Sequence, residues 1–138
     1  MSAPWRGMTF FSLTLPDRPG ELAGFTTQLH KAGVSLLGMW AYAPGLDQPV
    51  ISCVPASPAA FRRFFRDSGL KIDEGMTFYR EGPDTPGVLT ETLHRIAKAG
   101  INIDAIECVS AEERFGCFIW VSPNEVEKLG RLLGVNGG

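Results

Sequence analysis

The sequence predicts an α+β protein made of two successive β-α-β-β-α-β units, each an antiparallel sheet with both helices on one face. Three observations lead there. A short phrase occurs twice, as Pro16-Asp17-Arg18-Pro19-Gly20-Glu21-Leu22 and as Pro83-Asp84-Thr85-Pro86-Gly87-Val88-Leu89. Each copy precedes an apolar helical pattern that stops at Lys-Ala-Gly, at Lys31-Ala32-Gly33 and at Lys98-Ala99-Gly100. The spacing is constant, since Asp17 to Asp84 and Gly33 to Gly100 are both 67 residues apart. Self-similarity at a fixed offset marks a repeated structural unit.

The first unit is expected over residues 8–73. In Met8–Leu15, Phe11, Leu13 and Leu15 alternate with Ser12 and Thr14, the period of a strand. Pro16 to Gly20 is a break, after which Leu22, Phe25 and Leu29 mark one helix face and Gly33 a C-terminal stop. Val34–Ala43 reads as a strand apolar on both faces. Pro44-Gly45-Leu46-Asp47 is a turn, and Gln48–Val54 returns as the second arm of a hairpin. Ser57-Pro58 opens a second helix, Ser as cap and Pro as first residue. On it Phe61, Phe64 and Phe65 fall within about 100° of one another, opposite Arg62, Arg63 and Arg66, as on an ordinary amphipathic helix. A short strand near Leu70–Asp73 closes the unit.

The second unit is expected over residues 76–136. Asp73-Glu74-Gly75 reads as a tight connection and Met76–Arg80 as a strand. Leu89, Leu93, Ile96 and Ala97 mark a helix face. Ile101–Ser110 and Phe115–Val121 read as strands around a turn at Ala111–Arg114. Ser122-Pro123 opens a helix carrying Val126, Leu129 and Leu133; Ser57 to Ser122 is 65 residues, and the two-residue difference is assigned to the hairpins. Only Gly134–Gly138 remains, so the final strand of this unit is short or missing. The order in both halves is the ferredoxin-like one.

Bulk properties narrow the function. With 138 residues at 44% hydrophobic and 20% charged, the chain is globular, and units of roughly 65 residues gain from packing against a twin or another chain. A net charge of −2 argues against a nucleic-acid or anionic-membrane partner. No apolar run approaches the ~18–20 residues of a membrane span. The N-terminus lacks the basic-then-apolar pattern of a secretion signal. Cys53, Cys108 and Cys117 form no CxxC pair, which suits a reducing cytoplasm. Cys108 and Cys117 can face each other across the hairpin that turns at Glu112-Glu113; the plainer reading is two small, half-buried residues. His30 and His94 are not at equivalent positions and no metal spacing accompanies them, so both read as surface residues and neither metal nor cofactor is expected. GxSxG and HExxH are absent, and no catalytic residues are assigned.

Strand, Asp-x-Pro-Gly-x-Leu, helix ending in Ala-Gly, then a strand opening Val34-Ser35-Leu36 or Ile101-Asn102-Ile103: this pattern resembles the ACT domain family, in both halves and over nearly the whole chain. The doubling resembles the small free-standing tandem ACT proteins. The resemblance implies a non-catalytic regulatory module that senses a small molecule, commonly an amino acid, near an interface between ACT units. It implies a homodimer through ACT–ACT packing, and a possible enzyme partner. The edge position of the second strand, with Trp40 and Tyr42 on it, predicts side-by-side packing of ACT units within the chain, between chains or both, with the sites where a Pro-Gly loop meets a neighbouring unit's second strand.

The repeated loop has a physical account beside the resemblance. A helix start offers unpaired N–H groups and partial positive charge to a carboxylate. Gly20 and Gly87 let a ligand approach the backbone, Pro19 and Pro86 sit near the first helical position, and Asp17 and Asp84 stand ready for an ammonium group. The same residues are also plain capping and turn chemistry. Asn102 matches a position that in amino-acid-binding ACT domains often touches the ligand; it also suits a strand end that needs its backbone satisfied, and Ser35 replaces it in the first copy. A further polar position of the better-known ligand-binding members falls on Leu15 and Gly82, a departure from serine-type recognition. The expected binding residues are therefore Asp17, Arg18, Gly20, Glu21, Leu22 and Ser35, and in the second copy Asp84, Thr85, Gly87, Val88, Leu89 and Asn102. The second copy, with Thr85 as a cap and Asn102, is the better-equipped polar site.

Two other readings compete. RNA-recognition domains share this strand order, and Arg114–Val121 superficially resembles their third-strand motif, but its glycine and aromatic positions do not align. A phosphate-cradling hydrolase would need an Arg in the loop; Arg18 is the only hint, and Thr85 replaces it in the second copy.

Overall fold

The computed structural model describes residues 5–42 and 48–135. The elements run β1 (Trp5–Thr14), α1 (Glu21–Lys31), β2 (Leu36–Tyr42), β3 (Val50–Pro55), α2 (Pro58–Ser68), β4 (Asp73–Pro83), α3 (Val88–Lys98), β5 (Ala105–Ala111), β6 (Arg114–Trp120), a 3-10 turn (Pro123–Glu125) and α4 (Val126–Leu132). The strands fall in the order β2-β3-β1-β4-β6-β5. The ladders β1–β3, β2–β3, β4–β6 and β5–β6 are antiparallel. The chain divides into two compact units, Thr9–Gly75 and a second that joins Met1–Met8 to Met76–Gly138. The predicted turn at Pro44–Asp47 lies outside the described residues.

In the unit Thr9–Gly75 the alternation of β1 becomes one face of the core. Phe11, Leu13 and Leu15 are buried with Phe25 and Leu29 of α1, Ile51 and Cys53 of β3, and Phe61 of α2. Phe11 stacks on Phe61 at 4.3 Å between centroids. The cap predicted at Ser57 is made: its Oγ accepts from the Ala60 N–H at 3.2 Å. Arg62 departs from the solvated face expected of it. It reaches Glu74 at 2.6 Å and lies over the Phe11 ring.

In the second unit the final strand is expected to be short or missing, and the structure adds what stands in its place. Among the described residues no strand follows α4. Instead Trp5–Met8, the start of β1, belongs to this unit, and Trp5 is buried in a core with Phe78, Ile96, Ile101, Cys117, Ile119 and Leu129. A Cβ on Gly7 would stand 3.3 Å from Met76 Sδ and 3.5 Å from Val135 Cγ1, so this segment packs closely. Among the described residues the N-terminal segment thus supplies a strand to a unit that has none after α4. The strand predicted from Met8 begins three residues earlier because burial of Trp5, not alternation, holds it.

β4 corrects a second expectation. The strand near Leu70–Asp73, the tight connection and the strand from Met76 are replaced by one 11-residue strand, Asp73–Pro83. Nothing in Asp73-Glu74-Gly75 breaks extended backbone. A Cβ on Gly75 would lie 2.7 Å from the Phe10 ring, so the close approach of that ring requires glycine. β2 and β5 start later than predicted, at Leu36 and Ala105. The helix expected at Ser122-Pro123 opens as the 3-10 turn, with no side-chain cap. The β5–β6 turn sits where predicted, with Glu112 and Glu113 at φ 51° and 65°, the left-handed pair of a two-residue hairpin.

Candidate functional site: two cavities at the helix starts

The two copies of the Asp-x-Pro-Gly phrase fold alike. The Arg18 N–H bonds to the Pro16 carbonyl at 3.0 Å and the Glu21 N–H to that of Arg18 at 3.3 Å; the Thr85 N–H bonds to Pro83 at 2.9 Å and Val88 to Thr85 at 3.4 Å. Gly20 (φ 89°) and Gly87 (φ 84°) are the N-cap residues of α1 and α3, both left-handed. This changes the part each residue plays. The prolines precede the cap rather than occupying the first helical position. The glycines are required by positive φ before any ligand is considered. Thr85 is not a cap, since neither helix has a side-chain cap bond. Both helices therefore begin with first-turn N–H groups that no side chain occupies.

Each start opens on a cavity. The first, about 270 Å³, is lined by Leu15, Pro16, Asp17, Arg18, Glu21, Leu22, Ala41, Tyr42, Pro49 and Ile51. The second, about 280 Å³, is lined by Asp84, Thr85, Pro86, Gly87, Val88, Leu89, Thr90, Cys108, Val109, Ser110 and Phe115. These volumes lie just under those of drug-sized sites and suit a small metabolite. In both, the loop meets the end of its own unit's second strand.

Of the predicted residues, Asp17, Arg18, Glu21 and Leu22 come together in the first cavity, and Asp84, Thr85, Gly87, Val88 and Leu89 in the second. Gly20 shapes the first loop but is not part of its lining. Ser35 and Asn102 are not brought to the cavities. Both are exposed and follow the C-terminal ends of α1 and α3. An 11-residue helix places its two ends about 16 Å apart. Asn102 instead donates to Asp104 Oδ1 at 3.4 Å, and the Ser35 carbonyl accepts from the Ala56 N–H at 2.9 Å.

The sequence predicts a neighbouring unit's second strand beside each loop and names none of the own-unit strand and hairpin residues that line these cavities: Ala41, Tyr42, Pro49 and Ile51, and Cys108, Val109, Ser110 and Phe115. A signal for some was present. The offset that aligns the loops also aligns Ala41 with Cys108 and Tyr42 with Val109.

The two sites differ in charge. Arg18 pairs with Glu21 at 3.0 Å, with Arg18 largely solvated. In the second site the Ser110 hydroxyl donates to Asp84 Oδ2 at 2.8 Å and the Asp84 N–H donates to the Glu113 carbonyl at 2.9 Å. The carboxylate at the second rim is thus aimed by the hairpin beside it. Among the described residues no three His, Cys, Asp or Glu side chains group to hold a metal. Among them no helix is long and apolar enough to cross a membrane.

Comparison with solved structures settles the fold. A protein from Bacteroides thetaiotaomicron, BT0572, superposes with a TM-score of 0.80 at 18% identity, covering 96% of this chain and 90% of that one. The ligand-free regulatory subunit of aspartate kinase from Thermus thermophilus superposes at 0.58 with 16% identity, over 93% and 90%. That of Thermus flavus gives 0.55 and 18%, over 93% and 90%. The chain has the tandem ACT fold. No protein-family model and no curated protein matches the sequence. The fold is therefore what this chain has in common with those regulatory subunits, and the ligand is a matter for the site itself.

Proposed function

We propose that this protein is a non-catalytic regulator that binds an amino acid or small carboxylate at the helix starts. One observation carries the reading: in both repeats an uncapped helix N-terminus and an Asp carboxylate open on the same metabolite-sized cavity. A zwitterion needs these two things together, N–H donors for its carboxylate and an acceptor for its ammonium. The second cavity is the better candidate, because Ser110 and the Glu113 carbonyl orient Asp84. The regulatory subunits of aspartate kinase that share the fold support a role beside an enzyme partner. We place the protein in the cytoplasm as a homodimer. Exposed Leu37, Met39 and Tyr42 on β2, with Ile106 and Val109 on β5, support pairing with a second copy. The RNA reading loses ground, since Phe118 on the third strand of the second unit is only 7% exposed and its ring is not free to stack on a base.

The test is a thermal-shift screen of the reduced protein against the amino acids and small carboxylates at millimolar concentration. It is followed by calorimetric titration of Asp17→Ala and Asp84→Ala, with sedimentation to read the assembly. A ligand of the folded state raises the midpoint. Asp84→Ala is expected to weaken its binding at least tenfold while Asp17→Ala leaves it within threefold. No shift with any compound, or a shift that survives both substitutions, defeats the reading; a monomer at micromolar concentration defeats the dimer.

A further inference from the structure

The second cavity has one wall the binding argument does not use. Cys108, on β5, lines it, and Cys117, on β6, stands directly opposite in the ladder. We propose that Cys108 and Cys117 form a reversible disulfide by exchange with a low-molecular-weight disulfide of the glutathione type, which reaches Cys108 from the cavity.

The geometry permits it. Residues directly opposed in an antiparallel pair have Cα atoms about 4.5–5.5 Å apart, inside the ~4.4–6.8 Å that a disulfide spans. The two sulfurs already stand 2.8 Å apart, with the Cys108 thiol donating to Cys117 Sγ. The two thiols differ in access, which sets the order of the steps. Cys108 is exposed and Cys117 is buried in the core of its unit. The first attack therefore belongs to Cys108 and the second to Cys117. Burial pushes the Cys117 thiol up, the hydrogen bond with Cys108 and that group's charge add to this, and the nearby Arg80 opposes it to a smaller extent. Arg80 faces Cys117 from the other side, as its partner in the β4–β6 ladder, and its buried Nε has no hydrogen-bond partner. A guanidinium there favours the thiolate when it forms. Cys53 provides the contrast. It is buried in the other unit with no second cysteine beside it, and burial pushes its thiol up to about 12.

The step balances as follows. The Cys108 thiolate attacks one sulfur of RS–SR and expels RS⁻, leaving a mixed disulfide. Cys117 gives up its proton, attacks the Cys108 sulfur and expels the second RS⁻. Two protein thiols are oxidised to one disulfide, and one RS–SR is reduced to two RSH. The bond draws the Cys108 sulfur toward β6 and ties the edge strand β5 to its neighbour. Its effect on binding rests on the reading of this cavity as the ligand site; the disulfide itself does not.

The experiment incubates the reduced 138-residue chain in glutathione buffers of rising oxidised fraction, traps free thiols with iodoacetamide and maps the peptides. The expected product is a Cys108–Cys117 linked peptide with no glutathione retained, reversed by dithiothreitol, present in Cys53→Ala and lost in Cys108→Ser. Glutathione held on Cys108, a disulfide between two chains, or full alkylation of both thiols in oxidised buffer overturns the proposal. The mapping on the wild-type chain needs no variant to fold. Thermal shift by the amino acid in both redox states then separates the two ideas. No shift in either state defeats the ligand reading alone. A shift changed by oxidation supports control of the cavity, and an identical shift in both states defeats that control.

Discussion

At the scale of single residues, the same chemistry serves folding and binding, and the two must be separated. Gly87 holds φ 84° at the cap of α3, with nothing within 4 Å of where a Cβ would sit. Space does not limit this position; backbone conformation does. Gly87→Ala is therefore expected to cost about 1–2 kcal/mol, and Gly87→Asn less, because Asn tolerates the left-handed region. Urea denaturation of the two variants checks this, and equal costs would mean that sterics outside the backbone dominate. Asp84 carries the opposite lesson. It is exposed, tied to Ser110 at 2.8 Å, and its removal is expected to spare stability while weakening the ligand. A loop that looks like plain capping in sequence thus divides into a residue that shapes it and a residue that faces the cavity.

At the scale of elements, strands decide more than helices. The described helices turn most of the faces their spacing announces inward, with Phe25, Leu29, Phe61, Ile96 and Leu129 buried, but Leu22 and Ala97 stay exposed and Thr92 is buried on α3 in a place the apolar spacing does not mark. β1 does what no periodicity shows. Its Phe11 and Leu13 join one core and its Trp5 another. Trp5→Ala is expected to destabilise the unit around Phe78 by about 3–5 kcal/mol, the usual cost of emptying a large aromatic site. Hydrogen exchange gives the reading: amides of β4, β6 and α4 lose protection while those of β3 and α2 keep more of theirs. Uniform loss across the chain would instead mean that the units unfold as one.

At the scale of the whole molecule, the repeats are not the same as the units. The repeated phrase divides the chain near Gly75, yet the second unit takes in Trp5–Met8 from the far end of the sequence. A fragment of residues 76–138 lacks Trp5 and is expected to stay unfolded by circular dichroism. A permuted chain that appends residues 4–8 after residue 138 through a short flexible linker is expected to recover structure. A folded 76–138 fragment would show that its own chain end can complete the core.

How far the sequence alone reached follows from the range of the forces involved. The doubled unit, its helix faces, the β5–β6 turn and both Asp-x-Pro-Gly loops were legible, because periodicity, capping and turn preference act over a few residues. The loop residues of both cavities were therefore found, while their walls were not. Cys108, Val109 and Ser110 enter the site only when β5 folds back along β6 and brings its end beside Asp84. Asn102 and Ser35 were set beside the ligand by analogy, yet lie a helix length from the cavities of their own units, because a rigid 11-residue helix intervenes. The strand that completes the second unit was invisible, because a lone Trp5 has no period and its burial depends on residues more than 70 positions away, such as Phe78. Local pattern determined the unit and its loops; only long-range packing decided which strand completes a core and which side chains close a cavity.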